Sequence, residues 1–177
     1  MKKIIAIIAF LTLATTATFA QRFAYVDSEY ILKHIPEYVS AQKQLDDLSV
    51  QWQEQVDAKY GEIEKLYKAY QNDQVLLNED MRRRREDEIV KKEKEAKEFQ
   101  RQKFGYEGEL YQQRIRLIKP IQDRVAKAIQ DLASNQGLDI ILDKGNEVTF
   151  LYANPKLDKS NEVITKLGFK PDAALVK

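Results

Sequence analysis

Apolar residues recur along the middle of the chain with the spacing of an α-helix. Between residues 37 and 76 they step by three or four positions, and the mean step of about 3.6 predicts one long, nearly straight helix. The predicted stripe consists of Ala41, Leu45, Leu48, Trp52, Val56, Tyr60, Ile63, Tyr67 and Tyr70. Only six Gly and four Pro interrupt the 177 residues, which also favours long helices.

A second helix is predicted to return along the first. Asn78 can cap a helix whose first turn is acidic, so we place a hairpin tip at residues 76–79. The returning helix should span residues 79–136, with a kink at Pro120 and Gly137 just beyond its end. The pattern therefore predicts an antiparallel helical hairpin.

Apolar density along the returning helix is uneven. Ile89 and Val90 are the only large apolar residues between positions 82 and 95. Nearer the end of the helix, a regular stripe is formed by Ile118, Ile121, Val125, Ala128 and Leu132. We therefore expect a thinly packed, pliable tip and a well-packed base.

The start of the chain beyond position 20 has a strand pattern. Residues 22–27 alternate, with Phe23 and Tyr25 on one face, which predicts a short strand. Ser28 is interpreted as the N-cap of a short helix, and Pro36 as the break before the long one.

The end of the chain combines a hairpin with a helix. Residues 138–143 and 147–153 flank a Lys-Gly-Asn turn and predict a β-hairpin. Asp158 can cap a final helix over residues 159–167 that ends at Gly168, and the last nine residues are interpreted as a loose tail.

Together these elements predict an α+β fold, mostly α. A long helical arm (residues 37–119) projects from a small β body (21–36 and 120–177). About three strands leave sheet edges bare, so we expect a homo-oligomer whose strands build a shared sheet or barrel. Candidates for the body and oligomer core are Phe23, Tyr25, Ile140, Leu142, Val148, Phe150 and Tyr152.

The first twenty residues have the pattern of a signal peptide. Two lysines precede an apolar run over residues 4–13, and Thr18-Phe19-Ala20 supplies a cleavage pattern, so we expect removal after Ala20 and export as a soluble protein. The run is too short for a membrane span. Cleavage would change the net charge from +1 to −1, because 27 basic residues would face 28 acidic ones.

Charge is distributed unequally between the two arm helices. Residues 37–80 contain four basic and ten acidic side chains, whereas residues 81–119 contain thirteen basic and eight acidic ones. The two helices are therefore complementary, which favours antiparallel pairing. Exposed ion pairs contribute only about 0.2–1 kcal/mol each, so they do not account for the stability.

The residue inventory offers no catalytic machinery. The chain has no Cys and one His, and it lacks a phosphate-binding loop or a nucleophile elbow. Consecutive acids such as Glu86-Asp87-Glu88 point in different directions around a helix and are interpreted as part of a solvated face. His34 is interpreted as a helix-cap or surface residue. We therefore expect no enzyme, no cofactor, no metal site and no nucleic-acid partner.

Two features of the arm are candidates for binding. Arg82, Arg83, Arg84 and Arg85 lie near the predicted tip and form either a solvated face or a docking patch for lipid phosphates or acidic clients. Most arm aromatics should pack in the hairpin seam. Phe104 and Tyr111 lie off the main stripe and are the candidates to face a cavity or a partner.

The order of these parts resembles the Skp/OmpH family of periplasmic chaperones for outer-membrane proteins. The supporting segments are AYVDSEYILKHIPEY (24–38), LNEDMRRRREDEI (77–89), KPIQDRVAKAIQDLASNQGLDIILDK (119–144) and NPKLDKSNEVITKL (154–167). The resemblance implies a trimer with a β-barrel body and three helical arms that enclose an unfolded client without ATP. It also implies a periplasmic location.

This sequence departs from the strongly basic character of that family. Its near-zero net charge predicts that long-range capture of acidic clients or lipopolysaccharide is confined to the arginine-rich tip. A second hypothesis is an envelope scaffold or adaptor that binds one folded partner. A scaffold should have a continuous apolar seam to its tip, whereas the seam here thins out, which favours the chaperone.

Overall fold

The structure, a computed structural model, describes residues 21–145 and 151–175. Its elements in order are β1 (Phe23–Val26), α1 (Ser28–Lys33), α2 (Pro36–Asp73), α3 (Glu79–Phe104), α4 (Glu109–Gln136), β2 (Ile140–Asp143) and α5 (Ser160–Lys166). The predicted α+β class, with long helices and a small β part, is confirmed. The proposed signal peptide, Val148 and Phe150 lie outside the described residues.

The short helix α1 begins one residue earlier than its predicted cap implied. Asp27, and not Ser28, is the N-cap: its carboxylate accepts a hydrogen bond of 2.8 Å from the backbone N–H of Tyr30. Ser28 is the first helical residue, and its N–H donates to the carboxylate of Asp143 at 3.0 Å. Asp27 is the better cap because its side chain reaches the third amide of the helix.

The long helix α2 starts at Pro36, where a proline fits because the first helical N–H has no intrahelical acceptor. Its 38 residues span about 57 Å at 1.5 Å per residue. It ends at Asp73, three residues before the predicted end, so Val75 and Leu76 belong to the connecting turn.

The returning helix is not continuous, contrary to the prediction. Asn78 does cap α3, and its side chain accepts from the N–H of Met81 at 2.9 Å. However, the chain leaves the helix at Gly105, where an added Cβ would lie 2.3 Å from the carbonyl oxygen of Arg101. It re-enters at Gly108, while α4 continues through Pro120. The break is therefore set by the glycines, and α4 ends as predicted at Gly137 in the left-handed region (φ 62°).

The two strands pair in parallel, which the sequence pattern did not predict. Phe23 lies opposite Ile140, and Tyr25 opposite Leu142, on one face of the sheet. The described part of the predicted return strand, residues 151–153, is not in a strand. On its other side β1 is bridged at Tyr25 to Asp158.

The main core lies where the helices meet beneath the sheet. Its buried members are Val26, Tyr30, Ile31, Leu32, Ile35, Ala41, Leu45, Ile118, Ile121, Val125, Ala128, Leu132, Val163 and Ile164. A second, smaller cluster along the arm contains Ile63, Ile89 and Ala96. The predicted contrast between a dense base and a thin distal arm is consistent with these two clusters.

The C-terminal residues are docked on the body and are not the loose tail that was predicted. Phe169 packs against the main core. The backbone N–H of Asp172 donates a hydrogen bond of 2.9 Å to His34. Residues 169–175 are hereafter called the C-terminal strap.

Candidate functional site

The four arginines lie in the first turns of α3, directly after the tip, and all are exposed. Arg82 donates from Nε to the carbonyl oxygen of Leu77 at 3.2 Å, and Arg85 approaches Glu88 at 3.9 Å. Within the described residues, Arg83 and Arg84 form no ion pair. Most of this guanidinium charge is therefore available to an external anion.

Exposed aliphatic side chains lie beside the arginines. Val75 and Leu76 in the turn are 89% and 85% exposed, and Met81 is 49% exposed. Sequence reasoning missed these residues because it extended α2 to Leu76. The early end of α2 after Asp73 places them outside the seam.

The break in the returning helix is held against α2 by aromatic contacts. The rings of Phe104 and Trp52 meet edge to face, with centroids 6.3 Å apart. The ammonium of Lys103 lies 4.8 Å from the centroid of Trp52 and 5.5 Å from that of Phe99, and it pairs with Glu109 across the break. These contacts link the end of α3 to both α2 and α4.

A groove of about 260 Å³ lies at the same break. It is lined by Phe104, Gly105, Tyr106, Glu107, Leu110, Tyr111 and Arg114. Phe104 is half-buried, Tyr111 is 48% exposed, and Tyr106 is 96% exposed. The structure thus brings together the two predicted aromatic candidates and adds Tyr106, which a Gly-Tyr-Glu-Gly sequence could have indicated as a loop residue.

Two tyrosines of the predicted α2 stripe are only partly buried. Tyr60 is 38% exposed and Tyr67 is 51% exposed, whereas Trp52, Val56 and Ile63 on the same helix are buried. The hydroxyl of Tyr60 donates to Gln100 of α3 at 3.4 Å. These rings leave part of their apolar area in contact with solvent.

Polar contacts join the arm helices at few points. Lys92 of α3 pairs with Glu62 of α2 at 3.1 Å. The Tyr70 hydroxyl donates to the Glu86 carboxylate, and this bond raises the pKa of Tyr70. Most other ion pairs of the arm are local pairs within one helix. Charge complementarity is therefore a minor contributor to the seam.

The outer face of the sheet is apolar and open. Phe23 is 54% exposed, Ile140 49% and Leu142 40%, and Tyr152 beside them is 82% exposed. Tyr25, on the same face, is buried, and this burial together with the nearby Asp158 raises the pKa of its phenol. Phe23, Tyr25, Leu142 and Tyr152 line a cavity of about 250 Å³.

His34 is buried, and it caps the C-terminal end of α1. The sequence predicted that His34 would be either a helix-cap residue or a surface residue. Its exposure of 8% excludes the surface position. The described residues contain no group of three or more His, Cys, Asp or Glu side chains that could hold a metal ion. None of the described helices is long and apolar enough to cross a membrane.

The fold and these surfaces define an α+β protein whose candidate binding features lie on an open helical arm. The family model for OmpH-like outer membrane proteins matches residues 22–167, and the chain belongs to the OmpH-like family. This membership supports a chaperone role, as the sequence resemblance implied.

A solved structure has the same fold. It is a candidate outer membrane chaperone (OmpH-like) from Caulobacter crescentus CB15, which superposes with a TM-score of 0.63 at 13% identity. The superposition covers 86% of this chain and 87% of that chain. No curated protein matches the chain.

Proposed function

We propose that this chain is an ATP-independent holdase chaperone of the periplasm, exported and cleaved after Ala20. It binds unfolded β-barrel proteins of the outer membrane and prevents their aggregation by binding alone. The observation that carries the proposal is the arm surface, where single aromatic and aliphatic side chains stand exposed among many charges. Such a surface holds an extended chain at many weak points without collapsing onto it.

The client lies in a cavity between the arms of a homo-oligomer, a trimer as the family resemblance implies. The exposed apolar outer face of the sheet supports self-association, because Phe23, Ile140 and Leu142 would leave water there. Light scattering of the chain lacking residues 1–20 should give a mass above that of a single chain at micromolar concentration. Phe23→Asp should reduce it to the monomer, and a monomeric wild type would contradict this part of the proposal.

Phe104 and Tyr111, with Tyr106, form the proposed client-facing groove at the break. A photo-crosslinking residue at Tyr111 should capture a urea-unfolded outer-membrane β-barrel protein. The same residue at Lys127, which is exposed on the base of α4, is the matched control. Equal capture at both positions would show that the groove has no special role.

Arg82 to Arg85 form the proposed anion-docking patch for acidic client segments, lipid phosphates or lipopolysaccharide. Changing all four to Ser should weaken client or lipid binding and flatten its salt dependence. Unchanged binding would assign the arginines to a solvated face. The control changes three exposed lysines farther along α3, Lys91, Lys94 and Lys97, to Ser. Lys103 is left unchanged because it pairs with Glu109 across the break.

The alternative, a scaffold that binds one folded partner, is less well supported. Its arm should carry a continuous apolar seam to the tip. Here the small cluster around Ile63 is separate from the main core, and the tip side chains Val75 and Leu76 are solvated.

A further inference from the structure

The C-terminal strap is fastened to the body at the backbone of Asp172. Its N–H donates to Nε2 of His34 at 2.9 Å, and its carbonyl oxygen lies 3.2 Å from the hydroxyl of Tyr30, which donates to it. The same hydroxyl is 3.1 Å from the amide oxygen of Asn161. The side chains of Tyr30 in α1 and of His34, which caps that helix, therefore hold the strap.

These contacts define the protonation state of His34. Its Nδ1 lies 2.7 Å from the backbone oxygen of Tyr30, which can only accept, so Nδ1 carries a proton. Its Nε2 accepts the N–H of Asp172 and must therefore be unprotonated. The docked strap requires a neutral imidazole.

We propose that His34 is a proton-operated latch for the C-terminal strap. A second proton on Nε2 would place two donors against each other, and the ring is only 8% exposed, so water has little access to replace the lost bond. The strap is then released from the body. This inference does not depend on the proposed chaperone function.

The surrounding charges are compatible with protonation of the ring. Burial, followed by the carboxylates of Asp172, Asp158 and Asp27, raises the pKa of the Tyr30 phenol, so Tyr30 remains a donor in acid. Nearby on α1, Lys33 is paired with Glu29, and Glu37 at the start of α2 is paired with Arg124 of α4. His34 is also the only histidine, so it is the one imidazole that can change charge.

The absence of cysteine from the sequence permits clean spin labelling of the strap. A nitroxide at Ala174→Cys should be immobile at about pH 8 and gain a mobile component at about pH 5. Loss of one hydrogen bond should lower the ratio of docked to released strap about tenfold. A label at the exposed Gln130→Cys on α4 should show no change.

Two variants distinguish protonation of His34 from other causes of strap release. His34→Phe keeps the ring contact with Tyr30 but removes both nitrogens, so its strap should be mobile at every pH. Asp172→Asn keeps the backbone N–H and should retain the pH step. Identical wild-type spectra at both pH values, or a step that survives in His34→Phe, would overturn the proposal.

A measurement on the wild type covers the case in which His34→Phe does not fold. Ring ¹⁵N chemical shifts should identify the Nδ1–H tautomer at the higher pH. Protonation of Nε2 should have the same midpoint as release of the strap label. A midpoint of strap release that differs from the midpoint of Nε2 protonation would also overturn the proposal.

Discussion

The arm should open independently of the body, and Ile63→Ala tests this most directly. Ile63 is buried with Ile89 and Ala96 in a cluster that is separate from the main core. The substitution removes three carbons, which is about 2.4 kcal/mol at about 0.8 kcal/mol per buried methylene. If the loss is local, amides of the distal arm should exchange about 50-fold faster.

Hydrogen exchange followed by mass spectrometry would measure this effect peptide by peptide. Peptides around Ile63 and Ile89 should accelerate, while those of the base of α4, around Val125, should keep the wild-type rate. Val50→Ala on the same helix is the matched control, because Val50 is 59% exposed and should cost little. Equal acceleration of arm and body would refute the reasoning, since it would show that they unfold as one unit.

Three further predictions concern the helix ends and one ion pair. Gly137→Ala should lower the free energy of unfolding by about 1 kcal/mol, because φ at this position is 62°. Gly61→Ala inside α2 should raise the free energy of unfolding by about 0.5–1 kcal/mol, because nothing lies within 4 Å of the added Cβ. Thermal unfolding would contradict this pair of predictions if both variants moved in the same direction. Asn78→Ala should cost about 1 kcal/mol of α3 stability, visible as faster exchange at the tip and absent in Asn78→Asp. The hydrogen bond from Lys159 lowers the pKa of Glu162. The pair therefore stabilises the fold above the unfolded-state pKa of Glu162, and this stabilisation is lost as the pH falls through the folded-state pKa. Glu162→Gln should flatten the acid side of the curve of stability against pH, and an unchanged curve would exclude the pair as a contributor to stability.

Local patterns were sufficient to predict most helices but not their interruptions. Buried positions Trp52, Val56 and Ile63 follow from a 3.6-residue period, and Gly137 follows from the preference for glycine in the left-handed region. The helical pattern does not predict the break at residues 105–108, because the surrounding residues are good helix formers. Pro120 lies inside α4 and does not end it.

Long-range contacts were beyond the reach of sequence patterns. The parallel pairing of β1 with β2 joins residues more than a hundred positions apart, and an isolated strand pattern does not specify its partner. The bond between His34 and Asp172 is similarly remote, so the strap had no local signature. For the candidate site, the arginines were evident as a run of like charge, while the solvated Val75 and Leu76 depended on where α2 ends.

Suppression of aggregation is the measurement that tests the central claim most directly. A purified outer-membrane β-barrel protein is diluted from urea without nucleotide, and light scattering is followed with increasing amounts of the chain lacking residues 1–20. The account predicts that scattering is abolished near one oligomer per client and that the arm-groove variant Tyr106→Ser/Tyr111→Ser suppresses it less well. Undiminished aggregation at a several-fold excess of a correctly folded oligomer would contradict the account.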